Sequence, residues 1–168
     1  IKPDFFLFQG IFPSKLFWNN NYEKYSKLYP TLLFSDLKSH GCFLSHISLL
    51  EYIMERDYKN VLILEDNIDL IREIPNIIKV PKDFDILSIE KNRQGGIFYN
   101  FDFIRVTNGC GTCGYLINVK SIPLLLEKLK FIDLPIDLCY IKLSYLNIIK
   151  MYNCIDSYVV RSKIKSVR

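Results

Sequence analysis

Long apolar runs are absent from this sequence. No hydrophobic stretch approaches the roughly 20 residues that a helix needs to cross a bilayer, and the first residues lack the basic start and apolar core of a signal peptide. Internal repeats and low-complexity segments are also absent, and 49% of the residues are apolar, so the composition excludes a disordered chain. These absences predict a single folded domain over residues 1–168, located in the cytoplasm.

Neither sign of charge is in large excess. The formal net charge is +4 and the lysines are scattered, which argues against nucleic acid as the main partner and is compatible with a small anionic ligand. The first residue is Ile1 rather than methionine, as expected of a fragment or a processed product.

Cysteines are few and odd in number. Most of them lie in apolar segments, which favours reduced thiols that pack as small hydrophobes over a disulfide framework. The five are Cys42, Cys110, Cys113, Cys139 and Cys154. The CxxC spacing of Cys110 and Cys113 comes without a second pair or a nearby histidine, so it favours a structural role over a zinc or redox site.

The sequence is organised around a short apolar run that ends in acids. Val61–Leu64 is followed directly by Glu65, Asp66 and Asn67. A run this short and rich in branched aliphatics predicts a central strand of a parallel sheet, buried on both faces. Because ligands bind outside the carboxyl ends of such strands, the acids predict a site for a metal or a phosphorylated ligand. The alternative interpretation is a strand that ends in a solvated turn.

A helix is predicted just before this strand, at residues 41–56. Its apolar residues recur at helical spacing from Phe43 to Met54, and serines and glutamates fall on the opposite side. His46 lies near the apolar stripe, where the pattern is compatible with a hydrogen-bonded core histidine or with a catalytic one.

Strands and helices alternate along the rest of the chain. Apolar runs predict strands at residues 4–8, 84–89, 103–106 and 114–119, and helices at residues 122–130 and 134–149. A polar stretch with two glycines predicts a loop near the crevice at residues 91–100, and the tail at 155–168 holds one strand-like piece. The alternation predicts an α/β architecture.

Five segments carry a resemblance to a known family. They are Gly41–His46, Val61–Asp66, Phe84–Leu87, Gly111–Ile117 and Pro135–Asp137. In this order and spacing they resemble glycosyltransferase family 25, which includes bacterial lipooligosaccharide and collagen-type galactosyltransferases. The resemblance implies a GT-A-like nucleotide-sugar fold, in which a mostly parallel central sheet is flanked by helices.

The resemblance also implies a reaction. A hexose, usually galactose, would pass with inversion from a UDP-sugar donor to a hydroxyl of a glycan or protein acceptor, assisted by Mn²⁺ or Mg²⁺. General chemistry agrees, because a divalent cation neutralises a diphosphate leaving group through oxygen ligands. A carboxylate is also needed to take the proton of the acceptor hydroxyl.

Site residues follow from the same resemblance. It assigns donor binding to Glu65, Asp66, Asn67 and His46. The metal would be held by Asp66, with Asp69 as a second acid. Asp137, the acid of the Pro-x-Asp step, would be the catalytic carboxylate.

Three departures from the family's pattern support an alternative. Asn67 stands where the family usually has a third acid, and Lys38–His40 lacks the glutamate that the family tends to carry there. The N-terminal strand with its nucleotide-binding motif is apparently missing before Asp4, so it lies upstream of Ile1 or has been lost. The alternative is an inactive glycosyltransferase-like module with a structural or binding role in a larger assembly, virion-associated if the chain is viral.

Overall fold

The computed structural model describes residues 7, 8, 10, 37–91, 94–131 and 134–163. The chain divides into a helical unit, residues 1–58 and 122–139, and a sheet unit, residues 59–121 and 140–168. In chain order the elements are α1 (Leu37–Met54), β1 (Asn60–Leu64), β2 (Ile68–Leu70), β3 (Ile86–Ser88), β4 (Gln94–Phe98), β5 (Phe103–Gly109), β6 (Gly114–Asn118), α2 (Ile122–Leu129), α3 (Ile136–Tyr145), β7 (Met151–Cys154) and β8 (Val159–Arg161). The strand predicted at residues 4–8 lies mostly outside the described residues.

Helix α1 confirms the helix predicted over residues 41–56. Phe43, Ile47 and Leu50 are fully buried, at the spacing that puts them on one face. Met54 is 46% exposed, so the buried face ends before the helix does. Within the same unit α1 packs against α2, which forms where the sequence predicts it. None of the described helices is long and apolar enough to cross a membrane.

A six-stranded mixed sheet dominates the sheet unit. Its strand order is β1-β6-β3-β7-β5-β4, and every neighbouring pair is antiparallel except β3 with β7. A separate antiparallel pair joins β2 to β8. The prediction of a mostly parallel sheet is therefore wrong. Strands β3 and β7 are buried at every position, and such strands have the same unbroken apolar pattern in either orientation.

Strand β1 is also placed differently from the prediction. Among the described residues it pairs with β6 alone, so it is an edge strand rather than a central one. Only Ile63 is buried, and Leu64 is 38% exposed. Leu62, on the face of the strand opposite Ile63, packs against the core that includes Leu87 and Tyr152, but that face is only partly covered. An apolar run on a half-covered strand gives the same sequence signal as a central strand.

Three strands lie where the sequence predicted none, and one of them is the short strand β2. The stretch predicted as a loop at residues 91–100 contains β4, and β7 follows α3, which ends at Tyr145 rather than near residue 149. Strand β4 was not predicted because it contains two glycines, and glycine is unfavourable inside strands. Here Gly96 follows a β-bulge, and a Cβ at this position would collide with the carbonyl oxygen of Arg105. The residue must be glycine for β4 and β5 to pair this closely.

Arg105, on β5, anchors the end of helix α3. Its guanidinium donates to three carbonyl oxygens and two side-chain oxygens. The acceptors are the carbonyls of Ser144, Ile149 and Met151, the hydroxyl of Ser144 and Oδ1 of Asn147. Asn147 has a φ of 59°, the left-handed conformation that commonly follows a helix end. A cation at this position also interacts favourably with the helix dipole.

Replacing Arg105 with lysine should test this anchor. Lysine keeps the charge but lacks the planar fork of five donors, so several buried carbonyls lose a partner. We expect the free energy of unfolding to fall by about 1.5–3 kcal/mol in urea titrations. Arg72→Lys is the matched control, because Arg72 makes one exposed ion pair with Asp156 at 3.5 Å and such pairs are worth about 0–1 kcal/mol. An equal loss in both variants would contradict the anchoring role.

Candidate functional site

The carboxylate of Glu65 is held in place at the end of β1. The backbone N–H of Glu65 donates to the carbonyl oxygen of Cys113 at 2.9 Å. The hydroxyl of Thr112 donates to Oε1 at 2.9 Å, and the guanidinium of Arg161 lies 3.6 Å from Oε2. The side chain is only 16% exposed, so these contacts give it a defined orientation. Three separate segments of the sheet unit, counting β1 itself, therefore position one acid.

A second carboxylate, Glu90, lies completely buried at the end of β3. Its Oε2 accepts the N–H of Cys113 at 3.2 Å. The chain passes close by at Gly111, where φ is +104° and a Cβ would come within 2.5 Å of the same oxygen. Glycine is required here both for the left-handed backbone and for the space that the carboxylate fills.

Burial and charge shape the chemistry of this cluster. Burial, reinforced by the charges of Glu65 and Glu90, raises the pKa of the Cys113 thiol to about 12. Burial lowers the pKa of Arg161, but its neighbours Cys113, Glu65 and Glu90 outweigh that effect and raise it overall. The cluster thus combines two acids and one permanent cation around a neutral thiol.

The remaining predicted ligands of the sheet unit follow Glu65 along the chain. Asp66 and Asp69 are exposed, and Asp69 pairs with Val160 across β2 and β8. Oδ1 of Asn67 is buried and accepts no hydrogen bond from a described residue. Within the described part of this unit, no three His, Cys, Asp or Glu side chains bring their ligand atoms within 4.8 Å of one another.

Asp66 and Asn67 nevertheless fit a hard divalent cation that takes only one or two of its ligands from the protein. Mg²⁺ and similar ions often take one or two protein oxygens and complete their coordination with water and substrate phosphates. The carboxylate of Asp66 and the amide oxygen of Asn67, which has no donor among the described residues, are such oxygens. A cation held by so few protein oxygens would need further ligands from water or from a phosphate group.

His46 and Asp137 belong to the helical unit. His46 is buried on α1, with 5% of its surface exposed. Asp137 is half-buried in the first turn of α3, where its Oδ1 accepts the N–H of Leu138 at 2.9 Å. Negative charge is favourable at this end of a helix. The roles that the resemblance assigns to Asp137, Glu65 and Asp66 also imply that the three converge on one crevice, and this convergence stays a prediction.

Sequence reasoning missed Glu90, Thr112 and Arg161 as parts of the site. Glu90 had a usable signal, because it directly follows an apolar run, as Glu65 does. Arg161 lies in the tail at residues 155–168, for which the sequence predicts one strand-like piece and no site residue. Only the pairing of β8 with β2 brings it beside Glu65.

Comparison with known proteins identifies the family of the chain. Residues 2–95 match the family model of glycosyltransferase family 25, described as an LPS biosynthesis protein. The match covers more than half of the chain, which therefore belongs to this family. It includes Gly41–His46, Val61–Asp66 and Phe84–Leu87, whereas Gly111–Ile117 and Pro135–Asp137 lie beyond it. No curated protein matches the chain.

The hydrogen bond from Thr112 to Glu65 can be tested with a matched pair of variants. Thr112→Val keeps the side-chain shape and removes the donor, so the buried carboxylate oxygen loses a partner. We expect a loss of about 1–3 kcal/mol in the free energy of unfolding, measured in urea. Thr112→Ser keeps the hydroxyl and should cost about 0.8 kcal/mol, the value of one methyl group. Equal losses would show that the hydrogen bond contributes nothing.

The thiols provide a second test. The pKa of Cys154 is raised to about 12 by burial and by Asp102 and Asp156, as that of Cys113 is raised in the cluster. Because the thiolate is the nucleophile, iodoacetamide at pH 8 should alkylate the exposed Cys110 and spare Cys113 and Cys154 in the native protein.

The same shifts predict how stability depends on alkaline pH. The ordinary thiol pKa is 9.0, so above it the unfolded thiols ionise while the native ones stay protonated. Stability is therefore fully present below pH 9.0 and falls as the pH rises towards 12. Peptide mapping gives the labelling and urea titrations give the stability. Rapid native alkylation of Cys113 would contradict its burial beside two acids.

Proposed function

We propose that the protein transfers a hexose, with galactose as the first candidate, from a UDP-sugar to a hydroxyl of a glycan or protein acceptor, with inversion. The observation that carries this proposal is the Glu65 carboxylate, which lies within the matched segment and is held by Thr112 and Arg161. A carboxylate that is already oriented can accept hydrogen bonds from sugar hydroxyls without paying for its own ordering.

The donor's diphosphate requires positive charge and oxygen ligands around it. A divalent cation held by Asp66 and Asn67, with Asp69 as a further acid, would neutralise charge on the leaving group when bound. Arg161 is a permanent cation beside Glu65, and its side chain is 43% exposed. Guanidinium groups match phosphate oxygens well, so we assign Arg161 to the donor side of the site.

Asp137 is the carboxylate to which we assign the acceptor proton. An inverting displacement needs a base at the attacking hydroxyl as the bond to the sugar carbon forms and the diphosphate leaves with the bonding electrons. The resemblance of Pro135–Asp137 to the family's Pro-x-Asp step supports this role. The half-buried position of Asp137 at a helix start leaves part of the side chain accessible to an acceptor.

One observation favours a second candidate function. Asn67 supplies a neutral amide where the family usually has an acid, which removes one anionic ligand from the predicted metal site. A protein that has lost metal affinity in this way could persist as a binding or structural module. Both candidates make different predictions for donor binding.

Thermal melts with nucleotide sugars distinguish them. If the site is active, UDP-galactose with Mn²⁺ should stabilise the protein, by about 2.7 kcal/mol at a hundredfold excess over Kd. Mn²⁺ alone should shift the melting temperature less, because the protein offers few ligands without the diphosphate. The comparison also includes UDP-glucose with Mn²⁺, each sugar without Mn²⁺, and Mn²⁺ alone.

Two variants make the melts specific to the predicted site. Asp66→Ala should abolish the joint shift, whereas Asn67→Asp should enlarge it by restoring the acid that the family usually has at this position. Absence of a shift with every combination would favour the inactive module, and an unchanged shift in Asp66→Ala would place the donor elsewhere.

A further inference from the structure

A rigid loop presents an aromatic ring to solvent between β4 and β5. Phe101 is 92% exposed at its tip. The loop is closed by hydrogen bonds, because Oδ1 of Asn100 accepts the N–H groups of Asp102 and Phe103 at 2.9 and 3.0 Å, and the N–H of Asn100 donates to the carbonyl of Phe103 at 3.1 Å. Exposing a large apolar side chain to water is unfavourable in free energy, and burial against a ligand would remove this unfavourable contribution.

A pocket of about 270 Å³ lies directly beside this ring, within the sheet unit. Its floor includes residues of the core, and its rim carries side chains of both charges. The rim residues that matter for binding are Arg72, Lys79, Phe101, Asp102, Asp156 and Tyr158. The volume is just below the range of about 300–1,000 Å³ typical of complete small-molecule sites, so the pocket suits one part of a larger ligand.

The charges around the rim balance each other. Arg72 pairs with Asp156 at 3.5 Å and lies 5.7 Å from the centre of the Tyr158 ring. The side chains of Lys79 and Asp102 make no hydrogen bond or ion pair with a described residue. Two cations and two carboxylates give no net charge, which disfavours phosphates and other polyanions.

A neutral ligand rich in hydroxyl groups satisfies this rim. The carboxylates accept hydrogen bonds and the cations donate them, and a hydroxyl group can do both. The exposed ring of Phe101, with Phe98 packed edge-on at 5.9 Å, offers a flat apolar surface for the C–H face of a sugar ring. A saccharide combines these two kinds of surface.

The pocket is connected to Glu65 by a single strand. Tyr158, at the rim, directly precedes β8, and Arg161, the ion-pair partner of Glu65, is the last residue of that strand. The three residue steps between them span about 10 Å in an extended strand. Strand β2 runs alongside, from Ile68 near Arg161 to Leu70 near Tyr158. A short oligosaccharide can bridge this separation.

We propose that this pocket is a saccharide-binding subsite that takes a neutral part of the acceptor glycan away from its reacting hydroxyl. Saccharide binding itself is inferred from the pocket, whereas the acceptor role rests on the proposed function. Phe101 supplies the stacking surface, and Lys79 and Asp102 supply the donor and the acceptor that fix the orientation of the ring.

The test is direct binding without any nucleotide sugar. The probe is the core oligosaccharide of bacterial lipopolysaccharide, with its lipid and phosphates removed, titrated into the full chain by calorimetry and followed by saturation-transfer NMR. We expect Phe101→Ala to weaken binding at least tenfold and Phe101→Tyr, which keeps the ring, to retain it. The control is Phe131→Ala, since Phe131 is also exposed, at 70%, and lies outside the pocket; its binding should change less than twofold.

The outcomes separate this inference from the proposed function. No binding of the probe by the native protein, or equal weakening in Phe101→Ala and Phe131→Ala, overturns the subsite and leaves the donor-induced melting shift untouched. A dimer in sedimentation experiments that Phe101→Ala dissociates also overturns it, because the ring would then be an interface between copies. Loss of the donor shift with retained, Phe101-dependent binding of the probe would overturn the transferase and keep the saccharide site.

Discussion

The backbone of Cys113 is the constraint around which the candidate site is built. Its N–H donates to the buried carboxylate of Glu90, and its carbonyl accepts the N–H of Glu65. One residue therefore ties the ends of β1 and β3 to the start of β6. Such buried groups are costly to leave unsatisfied, so each member of the network fixes the others. The glycine at position 111 follows from it, because a Cβ there would press on the carboxylate of Glu90.

Local patterns were enough to predict most elements. Helix α1 and strands β3, β5 and β6 have strong periodic or apolar signals, and the structure confirms them. Local patterns carry no information on which strands pair with each other. Strand β3 pairs in parallel with β7, which comes far later in the chain, and β1 has one described neighbour instead of two. Orientation and position in a sheet depend on such distant pairings, which apolar runs do not encode.

The candidate site could also be predicted only where its residues lie in one short segment. Glu65 could be predicted because acids directly after an apolar strand are visible in one short segment. Glu90, Thr112 and Arg161 come from three other segments, and their convergence on Glu65 and Cys113 depends on the register of β6 with β1 and of β8 with β2. The role of Asn67 in donor binding stays a prediction; its amide oxygen is buried and has no donor among the described residues.

The sheet of β2 and β8 fixes the distance between two ends of the sheet unit. It contains three residue pairs, and an isolated two-stranded sheet of this size would have little stability of its own. Here β8 is also held from its other side, because the carbonyl of Val159 accepts the N–H of Lys91 at 2.8 Å and Val159 itself is fully buried. At its far end Arg161 is paired with Glu65, and at its near end Tyr158 borders the pocket. The ribbon is therefore a spacer of set length, so a ligand that reaches from the pocket to Glu65 must match that length.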